Sequence, residues 1–339
     1  MGQPTAEVAG EAGTAQAPPA RSWRNLAWWA WGAAYVVAGV TLLFCFRRLS
    51  ETQPVTSDGA ANALQAWAML HGNPLLRGWT VGDVSFYTTE LPEYMGVELI
   101  RGLGPDVVHV AAAFSYTLLV LLAGLLAKGR AKGREALIRV LIASGIMIAP
   151  QLSPGTSILL LSPDHTGTQV PLLVTWLVLD RAPRRWYVPL IITVMLAWVQ
   201  IADSITLLVA IVPLVLVCAL RILQGLVRRE PLTSWWYEAA LGVAAVASVG
   251  AAWLAVHVIH HLGGYQAIGL PTLPAILRTV PGHLRLTADG VLVLYGADFS
   301  GLHPGVAAAF AASASRWRHG RSGSRSGASS GLTIWLSRC

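Results

Sequence analysis

The chain has 339 residues, 54% of them hydrophobic and only 12% charged, with a formal net charge of +7. A soluble domain carries about 25% charged residues, so this balance excludes an ordinary soluble enzyme and places the chain in the membrane class. The arginines gather in short clusters at the ends of apolar stretches, where topogenic charge explains them better than nucleic-acid binding does.

Residues 1–25 open with Ala, Gly, Pro and Glu and lack apolar periodicity, which predicts a disordered cytoplasmic tail. It is no signal peptide, because a signal needs its basic and apolar regions at the very start. The first apolar stretch, 26–45, spans roughly 30 Å at about 1.5 Å per residue, the thickness of a bilayer's hydrocarbon. Arg21 and Arg24 precede it and set the N-terminus inside. The second span, 107–127, runs into Lys128, Arg130, Lys132 and Arg134, so the long loop 49–106 lies outside. Arg47 and Arg48 sit on that outer side, against the rule, and are candidates for a lipid phosphate or an anionic ligand.

The third span, 136–150, leads to an outer segment, 151–166, containing Pro, Ser and Gly, and 167–179 returns to Arg181, Arg184 and Arg185. Residues 188–220 are too long for one untilted crossing and are interrupted by Gln200, Asp203 and Ser204, which predicts two helices joined by a tight outer turn. Arg221, Arg228 and Arg229 then fall inside. The seventh span, 236–259, leaves an outer segment from 260 to about 304. Trp28, Trp29, Trp31, Trp186, Trp235 and Trp236 crowd the starts of spans, as interfacial anchors do. Cys45, Cys218 and Cys339 are too far apart for a metal or disulfide framework, and the first two read as buried small apolar side chains.

The expected fold is therefore all-α: a multi-pass protein of the plasma membrane, with about seven transmembrane helices in 26–305 and a long outer first loop. The stretch 306–339 is a basic, low-complexity tail whose Arg316, Arg318, Arg321 and Arg325 break the topology, which predicts a truncated or frame-shifted C-terminus.

This topology gathers the notable polar residues outside. Asp58, in Ser57-Asp58-Gly59, opens a predicted surface helix over 60–71, with Ala60, Leu64, Trp67 and Leu70 as its apolar stripe. Its bland role is an N-cap. Asp164 and His165 form a carboxylate–imidazole pair at the entrance of the fourth span, suited to orient a substrate, move a proton, hold a metal, or merely cap a helix. Asp203 lies inside an apolar hairpin and needs a polar partner, or caps the sixth span. Glu90, Glu93, Tyr87 and Tyr94 add carboxylates and phenols, and His260, His261, Arg278, His283, Arg285, Asp289 and Asp298 follow in the last outer segment. The zinc, phosphate-loop and nucleophile-elbow signatures are all missing, which removes the common hydrolase and nucleotide-binding readings.

A first span followed by an outer loop that opens with an acid on a surface helix, then Phe86-Tyr87 and Pro92-Glu93-Tyr94, resembles the GT-C superfamily of membrane glycosyltransferases, in particular actinobacterial integral membrane proteins of that kind. The resemblance covers about 26–304. It implies transfer of a sugar from a polyprenyl-phosphate carrier to a cell-envelope acceptor hydroxyl at the outer face. Asp58 matches the family's first-loop acid, the general base, although Gly59 stands where many relatives show a second acid. Asp164-His165 matches a polar turn after the third span. Glu90, Tyr94, Asp164, His165, Asp203, Arg278 and Arg285 are the expected substrate-binding residues, a divalent cation is the one cofactor candidate, and the partners are the donor lipid, membrane lipids and the acceptor. The rival classes are a non-catalytic or truncated membrane protein and, behind it, a transporter or flippase.

Overall fold

A computed structural model of the chain describes residues 21–152, 157–268 and 273–294. Within them lie ten α-helices and two strands of two residues each. The seven apolar stretches each become a helix: α1 (Arg21–Ser50), α4 (Asp106–Lys128), α5 (Gly133–Ile148), α6 (Thr166–Arg181), α7 (Tyr187–Ala202), α8 (Val212–Val227) and α9 (Leu232–His261). Four segments are long and apolar enough to cross a membrane: Trp29–Ser50, Asp106–Lys128, Leu207–Val227 and Ser234–His261. Helices α5, α6 and α7 have 16 residues each, about 24 Å at the α-helical rise and short of a full crossing.

Each break has a local cause. Helix α5 stops where Pro150, which has no N–H to donate, forces a 3-10 turn over Ala149–Leu152. Helix α7 ends at Ala202, the chain turns at Asp203, and a π-helical turn, Leu207–Ile211, leads into α8. The tight hairpin expected inside 188–220 is there.

Side-chain contacts sort the loops onto two ends. At one, Arg130 donates to the Asp180 carbonyl at 3.4 Å, Arg181 to the Leu125 carbonyl at 3.0 Å, and Arg184 pairs with Glu238 at 3.1 Å. The basic connections therefore meet. At the other end the first loop folds over the bundle as two helices, α2 (Ser57–Leu70) and α3 (Glu90–Arg101), with strand β1 (Thr80–Val81) between them. Strand β1 pairs in parallel with β2 (Gln266–Ala267), stitching the loop to the segment that follows α9. The Phe86 N–H donates to the Ala202 carbonyl at 3.0 Å and Thr88 Oγ1 to the Trp198 carbonyl at 2.5 Å, fastening the same loop to α7.

Packing is tight where side chains are small. Ala111, Ala112 and Ala113 of α4 are fully buried, letting neighbouring backbones approach as they do between helices in lipid. Outward faces are apolar instead: Val36, Val37, Val40 and Phe44 of α1 are all exposed, the surface expected of helices solvated by hydrocarbon.

Several expectations need correction. Cys218 is buried but Cys45 is exposed on α1. Helix α2 packs on the protein through Gly59, Asn62, Ala63 and Ala66, while Leu64 of the stripe expected to face the membrane surface is 48% exposed. The segment read as a long outer connection from 260 to about 304 contains a helix, α10 (Leu273–Leu294). The tail anomaly at 306–339 and Asp298 lie outside the described residues.

Candidate functional site

Helix α2 begins with Thr56, whose hydroxyl oxygen accepts the Gly59 N–H at 3.1 Å. Thr56 is thus the cap, and the capping role considered for Asp58 is already filled. Asp58 is left exposed in the first turn, where a carboxylate gains from the helix dipole.

Asp164 is not a helix cap either. Its two oxygens accept from Asn62 Nδ2 at 2.7 Å and Ser162 Oγ at 2.6 Å, which ties the turn before α6 to α2. Burial raises its pKa, those two hydrogen bonds oppose the rise, and the nearby Asp58 charge adds to it. The two carboxylates therefore sense one another, while Gly59 supplies no second acid beside Asp58. Gly59 has no room for one. A Cβ there would lie 2.7 Å from Cγ1 of the buried Val108 and 3.2 Å from Ser162 Cβ.

His165 does not use its sequence neighbour as its main partner. Its Nδ1 lies 2.6 Å from Asp203 Oδ2, across from the end of α7. Asp203 is buried, and its other oxygen accepts the Ile205 N–H at 2.9 Å, so it also caps the turn into the next helix. Both readings of Asp203 hold at once. The Asp203 hydrogen bond raises the His165 pKa, burial opposes this, and the Asp203, Glu90 and Asp164 charges reinforce the rise. The ring packs edge-on against Phe86 at 5.3 Å, with the His165 backbone left-handed at φ 60°.

Beneath this turn stands α3, whose four-residue spacing aligns Glu90, Tyr94 and Glu98 on one buried face. Glu90 accepts from the Thr168 N–H and hydroxyl, both at 2.7 Å, and from Thr89. Burial still pushes its carboxyl up to about 7. Glu93 accepts from Ser115 Oγ at 2.5 Å, leaves Oε1 buried without a partner, and is pushed by burial up to about 8. Glu98 has both oxygens buried without partners and is raised to about 7 by burial. Tyr94 is buried with its hydroxyl unpartnered. Glu90 and Tyr94, expected to touch substrate, are instead fully enclosed. They support the site from behind.

A groove of about 660 Å³ opens beside this cluster. Leu43, Val97, Phe114, Leu118, Val170 and Trp198 give it apolar walls, and Thr89, Glu93, Ser115 and Gly167 supply its polar edge. Size and lining suit a small-molecule site.

Gly167 is a point of close approach. A Cβ there would sit 2.7 Å from Glu90 Cγ. Gly167→Ala should lower stability by about 1–3 kcal/mol through overpacking at a clamped side chain. Gly145→Ala, in α5 with open space around it, should be neutral or stabilising. Thermal unfolding in detergent compares the two, and equal melting temperatures would show that Glu90 yields freely.

The remaining expected residues do not join the cluster. Arg47 pairs with Glu51 at 2.8 Å and Arg48 with the same carboxylate at 3.5 Å, so their charge is shared locally. The side chains of Arg278 and Arg285 lie outside the described residues. His260 packs edge-on against Tyr265. Among the described residues no group of three or more His, Cys, Asp or Glu is placed to hold a metal ion. Asn62, Glu98, Ser115, Ser162 and Thr168 were not among the candidates that sequence reasoning named. For α3 the signal was present, an i, i+4 run of Glu90, Tyr94 and Glu98 in a loop.

No family model matches the chain, and no curated protein or solved structure matches it either.

Proposed function

We propose that this chain is a GT-C-like membrane glycosyltransferase. It crosses the plasma membrane seven times from a cytoplasmic N-terminus and transfers a sugar from a polyprenyl-phosphate carrier to an acceptor hydroxyl at the outer face. The observation that carries this reading is an adjacency: the apolar groove shares Glu93, Thr89 and Gly167 with the polar cluster of the first loop. A free sugar would use only the polar part. A sugar on an isoprenoid carrier uses both, chain in the groove and headgroup among Asp58, Asp164 and His165. The basic connections at the opposite end of the helices agree with a cytoplasmic side there.

In this reaction the acceptor oxygen bonds to the anomeric carbon while the bond from that carbon to the phosphate oxygen breaks. Its electron pair stays on the carrier phosphate, and the acceptor proton passes to Asp58, whose exposed carboxylate is not consumed by helix capping. The leaving group is already anionic and needs no strong acid.

The test is the full chain in proteoliposomes with a radiolabelled polyprenyl-phosphate hexose and cell-envelope acceptor. Label is expected on the acceptor, with stoichiometric release of polyprenyl phosphate. Binding without release would make the chain a non-catalytic lipid-binding protein, and donor flipping without release would make it a flippase.

A further inference from the structure

The proposed reaction leaves an anionic phosphate, and among the described residues three arginines of the outer side are already paired. Arg47 and Arg48 share Glu51, and Arg101, on the groove wall, is held by Asp106 at 2.7 Å. His165 is differently placed. With Asp203 as the acceptor, Nδ1 carries the proton, and the buried carboxyl group orients the ring as in acid–base dyads. The side chain is 52% exposed while Asp203 is fully covered, so the open half of the ring is the half bearing Nε2. We propose that His165, tethered by Asp203, is the phosphate-binding residue of the site, donating Nε2–H to an oxygen of the isoprenoid carrier's phosphate. This assignment rests on the lipid-linked substrate proposed above.

Three further observations favour it. The charged groups facing the ring are Asp203 just beyond α7, Glu90 from α3 and Asp164 from its own turn, all acidic, and they favour the cationic form of the imidazole. Glu90 occupies the Thr168 N–H at the start of α6, so that backbone donor is taken and does not compete with the imidazole for an anion. Glu93, at the groove's edge, stays largely protonated at neutral pH and does not repel an anion.

The probe is farnesyl methyl phosphate, a diester that stays singly negative across neutral pH, measured on the full chain in nanodiscs against neutral farnesol. The diester should bind at least tenfold more tightly than farnesol, and this preference should fade as pH rises above the usual imidazole range and His165 loses its proton. His165→Asn, chosen because Asn tolerates the left-handed backbone, should remove the preference and its pH dependence while keeping farnesol binding. Asp203→Asn should move the pH dependence to lower pH, and His165→Lys should restore a preference that stays flat to higher pH. A wild-type preference in His165→Asn, or equal binding of diester and farnesol by the unchanged chain, overturns the proposal. Farnesol binding in each variant reports an intact groove. If His165→Asn loses it, a pH-independent preference in the unchanged chain overturns the proposal by itself. Failure here with sugar transfer intact removes His165 alone; success without transfer removes the glycosyltransferase reading and leaves an isoprenyl-phosphate site.

Discussion

If the chain is the glycosyltransferase proposed, Asp58→Asn should lower the single-turnover rate of sugar transfer by about 10²–10⁴-fold, the usual contribution of a positioned general base, and should leave the fold and diester binding intact. The separation is sharp because the structure divides the work at the start of α2. Thr56 closes the helix terminus and Gly59 makes the close contact with α4. Asp58 is exposed and does neither. Replacing it removes a favourable interaction with the helix dipole, about 0.3–1 kcal/mol, too little to unfold the loop. It also removes the repulsion that Asp164 feels. Asp164→Asn is the informative companion, because it disturbs the bonds from Asn62 and Ser162 and should cost stability as well as rate. Near-wild-type transfer by Asp58→Asn, with Asp164→Asn inactive but folded, would move the base to Asp164.

Much of the architecture could be read from local pattern. Apolar length gave seven helices, and polar interruption at Gln200 and Asp203 gave the break between α7 and α8. Basic clusters identified the connections that meet at one end. The site was legible in membership more than in wiring. Asp164, His165 and Asp203 converge as the topology requires, but the pairing of His165 with Asp203 rather than with its neighbour joins positions 38 apart. No periodicity encodes such a contact. Glu90 and Tyr94 looked like exposed loop chemistry because carboxylates and phenols in loops usually face water. Their four-residue spacing places them on the inner face of α3, where Thr168 and Thr89 satisfy Glu90. The tight packing of Gly59 against the Val108 side chain of another helix was likewise not visible in any local pattern. Helix α10 escaped notice because Pro281 stands inside it and its apolar residues are too dispersed to suggest a span.

The inner face of α3 also makes stability depend on pH, in the direction opposite to ordinary acid unfolding. Glu90, Glu93 and Glu98 have carboxyls raised from 4.5 to about 7, 8 and 7. A raised acid binds its proton more tightly when folded. Its contribution is therefore fully present below about pH 4.5 and is lost as pH rises through 7 to 8. Asp164 and His165, also raised, act in the same sense, the half-exposed His165 least because solvent screens it. The protein in detergent should melt highest near pH 5 and lose stability toward pH 8.5. The loss should be on the order of a few kcal/mol, since a tenfold difference in proton affinity between folded and unfolded chain is worth about 1.4 kcal/mol. Glu93→Gln and Glu98→Gln, which stay neutral at every pH, should raise the melting temperature at pH 8.5 and flatten the profile. Glu90→Gln should not, because the Glu90 oxygens accept from the Thr168 N–H and hydroxyl, and an amide nitrogen placed there would face donors. A flat wild-type profile, or one that Glu93→Gln makes steeper, would mean that water reaches the α3 carboxyls and that the groove edge is polar, which removes the apolar compartment on which the lipid-linked substrate depends.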